Sequence, residues 1–165
     1  MSPIDRVSLF LENAAKAAAG THRVTAGKKL KEAVSNIVPK GASVFCPRAT
    51  ALEKTAATSL GKLVPDYLSA EVTVEEAHAA IAETGSIVIT SKGGKAVQAS
   101  LLPSHHVAIV PRKKIFGTLN EFFAKFAASP PTNITVITGP SRTADIELNL
   151  VIGVHGPEKL DIIVV

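Results

Sequence analysis

The segment Val107–Thr138, VAIVPRKKIFGTLNEFFAKFAASPPTNITVIT, decides the fold because it places two strand-like runs on either side of a helix. Val107–Val110 is a short apolar run typical of a buried strand. Thr118-Leu119-Asn120-Glu121 matches a capping box and predicts the start of the helix. Asn133–Thr138 is the second predicted strand. Strands that alternate with helices indicate an α/β domain with a mostly parallel sheet.

The same alternation continues on both sides of this segment. Capping and glycine signals predict helices from Ser2 to Gly20 and through Leu30–Ile37, and a third within Thr50–Lys62. Further predicted elements are a strand at Ala42–Cys46, a helix opened by a capping box at Thr73–Glu76 and continued through Ile81, and strands at Ser86–Thr90 and Asp161–Val165. The apolar residues of 96–101 and 144–152 fit both the spacing of a helix and the alternation of a strand. Because no linker divides the chain, we expect one domain over residues 1–165.

Composition favours a cytoplasmic protein. The N-terminus lacks the pattern of a signal peptide, and the longest charge-free stretches contain prolines and predict no membrane span. A single cysteine favours a reducing compartment. The net charge of +4 is uneven, with ten Lys and Arg against four Asp and Glu in residues 1–62. An acidic partner or nucleic acid could face that region, but without a nucleic-acid motif we favour solvated helix faces and expect no nucleic-acid partner.

Several standard chemistries are excluded by pattern. The sequence contains no G-x-G-x-x-G, no P-loop and no G-x-S-x-G elbow. His105 and His106 are adjacent, so they would point to opposite faces of a strand and no shared metal is expected. Cys46 alone cannot ligate an iron–sulfur cluster, which normally takes four cysteines, and it fits a buried structural thiol. We therefore expect no cofactor and no metal in this chain.

Two glycine-bearing basic loops follow predicted strands. Ser91–Lys95 follows Ser86–Thr90, and Gly139–Thr143 follows Asn133–Thr138. Ligands of open α/β sheets bind beyond the carboxyl ends of the strands. For the first loop an ordinary surface turn is the favoured interpretation. For the second, a turn and an anion site both stay open, with Arg142 able to grip a carboxylate or phosphate.

Other polar residues could serve the same crevice. Asp145 and Glu147 could orient Arg142 or act as acid and base, or be surface carboxylates. Glu83-Thr84-Gly85 adds a carboxylate at a helix-to-strand turn, and His155 lies in a tight turn. A helix-end glutamate is usually solvated, and a turn histidine usually has no catalytic role.

Two long blocks carry a family resemblance. Thr138–Glu147 (TGPSRTADIE) with Leu150–Pro157, preceded by Ala80–Ser86 (AIAETGS) and Ser100–Pro103, resembles the LUD-domain family of the lactate utilization protein C type. The resemblance is close over Glu71–Val165. Residues 1–70 agree only in layout and are shorter than is typical.

The resemblance implies a three-layer Rossmann-like sandwich akin to the sugar-phosphate isomerase and CoA-transferase group. It also implies a subunit, without a cluster of its own, of a complex that oxidises L-lactate to pyruvate with iron–sulfur partner subunits. The alternatives are a stand-alone enzyme or binding protein for a phosphorylated or acyl small molecule, and a structural scaffold. The motifs give no catalytic roles. They give candidate positions for binding a small carboxylate or phosphate: Glu83, Thr84, Gly85, Gly139, Ser141, Arg142, Thr143, Asp145, Glu147 and His155.

Overall fold

A six-stranded sheet, parallel throughout, forms the centre of the protein in this computed structural model. The structure describes residues 3–25, 27–144, 150–152 and 156–165. The helices are α1 (Pro3–Lys16), α2 (Lys28–Ile37), α3 (Ala51–Ala57) and α4 (Leu119–Phe126). The strands are β1 (Gly20–Arg23), β2 (Ser43–Phe45), β3 (Lys62–Val64), β4 (Val72–Glu76), β5 (Ala79–Ile81), β6 (Ser86–Thr90), β7 (His105–Val110), β8 (Ile115–Phe116), β9 (Ile134–Ile137), β10 (Arg142–Ala144), β11 (Leu150–Ile152) and β12 (Lys159–Val164).

The central sheet has the order β1-β12-β7-β4-β2-β3. Helices α2 and α3 cover one face, where Leu30, Val34 and Ala56 pack against strand residues such as Val107. Helix α1 and a second sheet cover the other face, where Phe10 is fully buried. The structure therefore confirms the α/β class and the mostly parallel central sheet. Among the described residues, no helix combines the length and apolar character needed to cross a bilayer.

The second sheet was not anticipated. It has the order β8-β5-β6-β9, and β6 is antiparallel to both β5 and β9. Helix α4 packs Phe122 against its outer face. Ser86–Thr90 and Asn133–Thr138 are confirmed as strand regions, but neither belongs to the parallel sheet. Because β6 and β9 are antiparallel, the loops that follow them leave opposite ends of the second sheet.

The predicted helix from Thr73 to Ile81 is wrong. This segment forms β4 and β5, and every residue of both strands is buried. The capping-box pattern was misleading because Glu75 and Glu76 make contacts with residues distant in the sequence and do not cap a helix. The α1, α2, α3 and α4 predictions are confirmed, although α1 ends at Lys16 and Gly20 already begins β1.

Of the two stretches that the sequence left open, residues 96–101 are resolved, whereas residues 145–149 of the other lie outside the described residues. Residues 97–100 form a 3-10 turn rather than a strand or a full helix. At the start of α4, the Thr118 side chain accepts the backbone N–H of Glu121, as the capping signal predicts. Helix α3 has a complete capping box between Thr50 and Glu53.

Candidate ligand-binding crevice

The main candidate site is a crevice of about 620 Å³ at the carboxyl ends of β2, β3 and β4, which we call the carboxyl-edge crevice. This is the edge at which ligands of parallel α/β sheets bind. Its walls are residues 45–50 and Glu53 after β2, residues 64–67 after β3, residues 76–78 after β4, and the segment from Thr90 to Ala96 with Ala99 and Lys114.

The side chain of Glu53 connects the loop after β2 with the end of β4. Its carboxylate is buried, and its Oε2 accepts the backbone N–H groups of Ala49 at 2.8 Å and Thr50 at 3.1 Å. Its Oε1 accepts the backbone N–H of Glu76 at 2.8 Å. A buried carboxylate is stable when its oxygens accept several such hydrogen bonds. Glu53 therefore fixes the loop after β2 against the end of β4.

Lys95 forms the polar floor of the crevice. Its Nζ lies 2.6 Å from Oε2 of the buried Glu75 and donates to the backbone oxygen of Glu76 at 2.7 Å. It also lies 4.0 Å from Glu53 Oε1. Next to it, Lys114 Nζ is 2.7 Å from Glu76 Oε1. Two ammonium groups are thus held in place at the inner end of the crevice by carboxylates behind them.

Behind Lys95 lies a buried polar cluster on one face of the central sheet. His106 Nε2 lies 3.1 Å from Glu75 Oε1, and the hydroxyl of Ser100 donates to the same oxygen. Burial raises the pKa of Glu75, but the contacts with His106 and Lys95 outweigh it and lower that pKa to about 2. Glu75 is therefore a carboxylate at neutral pH.

The lysines also determine the state of a histidine in the crevice wall. Burial lowers the pKa of His78, and the positive charges of Lys114, Lys92 and Lys95 lower it further. The imidazole of His78 packs against Phe126 with ring centroids 5.0 Å apart. A neutral imidazole is therefore favoured at physiological pH, which leaves the lysines as the cations of the inner crevice.

The mouth of the crevice carries two further cations, Arg48 and Lys92, which are both exposed. Arg48 has a φ of 55°, a region that residues other than glycine rarely adopt. Within the described part of the chain, neither cation pairs with a carboxylate. An incoming anion would therefore not have to displace an existing ion pair at the mouth.

Cys46 also lines the crevice but is not an activated thiol. Burial raises the pKa of Cys46 to about 11, and its sulfur lies 3.6 Å from the backbone oxygen of Glu53. The thiol therefore stays protonated at neutral pH, which fits the structural role expected from the sequence.

Three of the predicted ligand-binding positions make contacts at helix ends, Glu83 at the start of α4 and the two glycines at the carboxyl end of α1. Glu83 Oε1 accepts the backbone N–H of Leu119 at the start of α4, at 2.6 Å. A Cβ on Gly85 would lie 2.1 Å from the backbone nitrogen of Ala14, and one on Gly139 would lie 2.1 Å from the oxygen of Ala17. Both glycines are therefore needed for close approach to α1.

The remaining predicted positions lie away from the carboxyl-edge crevice or outside the described atoms. Thr84 Oγ1 lies 2.7 Å from Ser86 Oγ, which in turn lies 2.6 Å from Thr138 Oγ1. Ser141 donates its backbone N–H to Pro157 beside a separate surface groove. The structure describes the backbone of Arg142 and Thr143 in β10 but not their side chains, and Asp145, Glu147 and His155 lie outside the described residues.

The prediction that the two basic loops follow strands of the parallel sheet is wrong, because β6 and β9 belong to the second sheet. Thr90 pairs with Ile134 and Ile87 pairs with Ile137, so the loop after β6 and the loop after β9 lie at opposite ends of the second sheet. The first of them, the one interpreted as an ordinary turn, lines the carboxyl-edge crevice, whereas the described residues 139–141 of the second line a separate groove. Whether the second loop binds an anion stays a prediction.

Sequence reasoning missed the residues that build the crevice. Glu53, Glu75, Glu76 and Lys114 were not considered as site residues, and Lys95 was considered only as part of a surface turn. One signal was available: two adjacent glutamates directly after the apolar Val72-Thr73-Val74 fit a strand entering a polar site as well as they fit a helix cap.

A second cluster confirms that His105 and His106 face opposite sides of β7. His105 Nε2 lies 2.8 Å from Asp161 Oδ2, whereas His106 contacts Glu75. His22 and Lys159 also contact Asp161, and although burial opposes it, these contacts hold the pKa of Asp161 well below its usual range. Across the described residues, no set of three or more His, Cys, Asp or Glu side chains is arranged to hold a metal ion.

The sequence of the chain matches the model of the LUD domain over residues 59–165. The chain belongs to the LUD-domain family. This match confirms the resemblance that the motifs indicated. The LUD domain includes every strand of the second sheet and the segment that carries Glu75, Glu76, Lys95 and Lys114.

Similar proteins of known family agree with this assignment. The chain is 38% identical over 110 residues to lactate utilization protein C of Halalkalibacterium halodurans, covering 63% of this chain and 48% of the relative. It is 43% identical over 91 residues to the protein of that name from Macrococcus caseolyticus, covering 52% and 39%. The chain thus spans about half the length of these relatives.

The fold is also that of a known crystal structure. A DUF162 family protein from Deinococcus radiodurans superposes with a TM-score of 0.78 at 22% identity, covering 99% of this chain and 98% of the other. This likeness supports the fold.

Proposed function

We propose that residues 1–165 form a single LUD domain that acts in lactate utilization in the cytoplasm. In this proposal it is a subunit without a redox centre, and separate iron–sulfur proteins carry the electrons of L-lactate oxidation to pyruvate. The support is the name shared by its relatives, lactate utilization protein C, together with family membership. The sequence adds that its one cysteine, Cys46, cannot provide the four ligands of a cluster.

We infer that the carboxyl-edge crevice is where the small acid binds. The observation that carries this inference is the placement of Lys95 and Lys114 at its inner end, each ammonium anchored by a buried carboxylate. Such anchored cations need little reorganisation to accept the carboxylate of a 2-hydroxy or 2-oxo acid. The apolar wall residues of the crevice exclude water from that contact.

Direct titration tests the binding site. L-lactate and pyruvate are titrated into the wild-type protein and into Lys114→Ala, with Lys113→Ala as the matched control because Lys113 is exposed and does not line the crevice. We expect Lys114→Ala to weaken binding at least tenfold and Lys113→Ala to leave it unchanged. Equal affinities in all three proteins would mean that the small acid does not bind in the carboxyl-edge crevice.

The same titration tests the loop after β9. Arg142→Ala weakens anion binding if the GPSRT loop is an independent anion site, as the sequence predicts. If Arg142→Ala binds like the wild type while Lys114→Ala does not, the carboxyl-edge crevice alone holds the acid.

A genetic experiment tests the role as a subunit. Deleting the gene should abolish growth on L-lactate while sparing growth on glucose, and deletion of the iron–sulfur partner genes should do the same. The basic residues 1–62 could dock on an acidic partner surface, so we expect the assembly to weaken as salt is raised. Normal growth on lactate without a second lactate dehydrogenase, or turnover by the isolated protein, would favour the stand-alone enzyme instead.

A further inference from the structure

We propose that the mouth of the carboxyl-edge crevice is a phosphate-binding subsite, so that the crevice takes a phosphorylated organic molecule beside the small acid. This inference rests on the proposal that the crevice is the ligand site. It concerns Arg48, Lys92, Gly93 and Gly94, which are not involved in anchoring the small acid at Lys95 and Lys114.

The size of the crevice is the first argument. Ligand cavities of roughly 300–1,000 Å³ bury drug-sized molecules. A three-carbon acid on Lys95 and Lys114 would fill only a minor part of the 620 Å³ present here. Four further lining residues, Arg48, Lys92, Gly93 and Gly94, are all exposed, and we assign the remaining volume to them.

The backbone of the loop after β6 is the second argument. Gly93 and Gly94 have φ of 73° and 77°, and a Cβ on either would meet nothing within 4 Å. These positions therefore need glycine for the backbone conformation and not for lack of space. Ser91 accepts the N–H of Gly94 and closes the turn. Because neither glycine carries a side chain, a ligand can approach the backbone of this loop closely.

The charges at the mouth are the third argument. Arg48 and Lys92 have no carboxylate partner within the described residues, whereas Glu53 and Glu76 are engaged by backbone N–H groups and by Lys114. Two unpaired cations match the double negative charge and the several oxygens of a phosphate. A single carboxylate would satisfy only part of this set.

The organic part of the ligand has a place beside this subsite. Phe45 and Tyr67 meet edge to face with ring centroids 5.8 Å apart, and Pro47, Val64 and Pro65 continue the same wall. This wall is suited to a flat or apolar group. The class of ligand that fits is therefore a phosphate or diphosphate ester whose organic part carries an aromatic group, as in a nucleotide.

Calorimetric titration at low salt with ADP and inorganic pyrophosphate tests the subsite, and adenosine tests the wall alone. We expect ADP and pyrophosphate both to bind. ADP should bind more tightly than pyrophosphate and more tightly than adenosine. Lys92→Ala and Arg48→Ala should each weaken ADP at least tenfold. Lys113→Ala, the matched surface lysine, should bind ADP as the wild type does.

The outcomes separate this inference from the proposed function. Absence of ADP and pyrophosphate binding, or Lys92→Ala binding ADP like the wild type, overturns the phosphate subsite even if pyruvate still depends on Lys114. Should Arg48→Ala fail to fold, because its loop has an unusual backbone, Lys92→Ala decides alone, since Lys92 is exposed. If ADP and pyrophosphate bind as expected but Lys114→Ala binds pyruvate as tightly as the wild type does, the phosphate subsite is supported and the proposed acid site is wrong.

Discussion

Lys95 Nζ lies 2.6 Å from Glu75 Oε2, and this pair connects the floor of the crevice with the interior of the central sheet. Glu75 is fully buried, whereas the side chain of Lys95 retains 22% of its exposure. The carboxylate is therefore shielded from solvent while its partner can reach a ligand. Because His106 and Ser100 also contact Glu75, the position of Lys95 depends on the packing between β4 and β7.

We predict that Glu75→Gln lowers stability at neutral pH by about 3 kcal/mol, because it leaves Lys95 without its buried partner. The pKa of Glu75 is lower in the folded protein, at about 2, than its ordinary value of 4.5. Its stabilisation is therefore complete above pH 4.5 and is lost as the pH falls towards 2. Urea unfolding between pH 7 and pH 2 should show the two proteins converging in acid.

The matched control for this prediction is Glu158→Gln, which changes an exposed glutamate. It should follow the wild-type curve at every pH. Asp161 also loses stabilisation in acid, but it does so in all three proteins and cancels in the difference. A constant gap between wild type and Glu75→Gln down to pH 2 would contradict the role given to the Glu75 carboxylate.

We predict that Glu53→Ala destabilises the protein by about 3 kcal/mol. The substitution removes an acceptor from three backbone N–H groups and deletes the capping box of α3. Glu32→Ala is the control, since Glu32 is a helical glutamate paired only with exposed lysines and should cost less than about 1 kcal/mol. Similar losses in the two variants would mean that Glu53 does not hold the crevice walls together.

The comparison of sequence and structure shows where local patterns suffice. Thr118 and the apolar residues after it predict α4, because the cap and the amphipathic face are both local. The segment at Glu75 carries the same kind of cap signal, yet it is a strand. Its two carboxylates pair with Lys95 and Lys114, which lie about twenty and about forty residues further along the chain. No local sequence pattern encodes pairs that are so far apart.

The candidate site illustrates the same limit. The rule that ligands bind at the carboxyl ends of parallel strands is consistent with the location of the crevice, but it was applied to β6 and β9, which pair antiparallel in the second sheet. Strand identity was predictable from apolar runs, whereas sheet membership depends on long-range pairing. The resemblance to the LUD-domain family gave Gly85 and Gly139 as candidate ligand-binding positions, and the structure shows that both approach the end of α1 closely.

We predict that Gly139→Ala lowers stability by about 3 kcal/mol. Its φ is 73°, and the new Cβ would lie 2.1 Å from the backbone oxygen of Ala17, so strain and a clash add together. Gly61→Ala is the control, because a Cβ there meets nothing within 4 Å. Thermal unfolding of the two variants measures the difference; a Gly139→Ala protein as stable as Gly61→Ala would mean that α1 does not approach this loop so closely.

We predict that Cys46 reacts slowly with iodoacetamide in the folded protein at pH 7.5. Two effects act together: the thiol is buried, and burial raises its pKa to about 11, so that the thiolate is scarce. Mass spectrometry of the alkylated protein should show a rate at least a hundredfold below that of the urea-unfolded chain, on the order of magnitude expected from two pKa units. Since Cys46 lines the crevice, ADP or pyruvate should slow the reaction further in the wild type. Labelling of the folded protein at the unfolded rate would show that the thiol is accessible to solvent. The wall of the crevice at Cys46 would then not be buried.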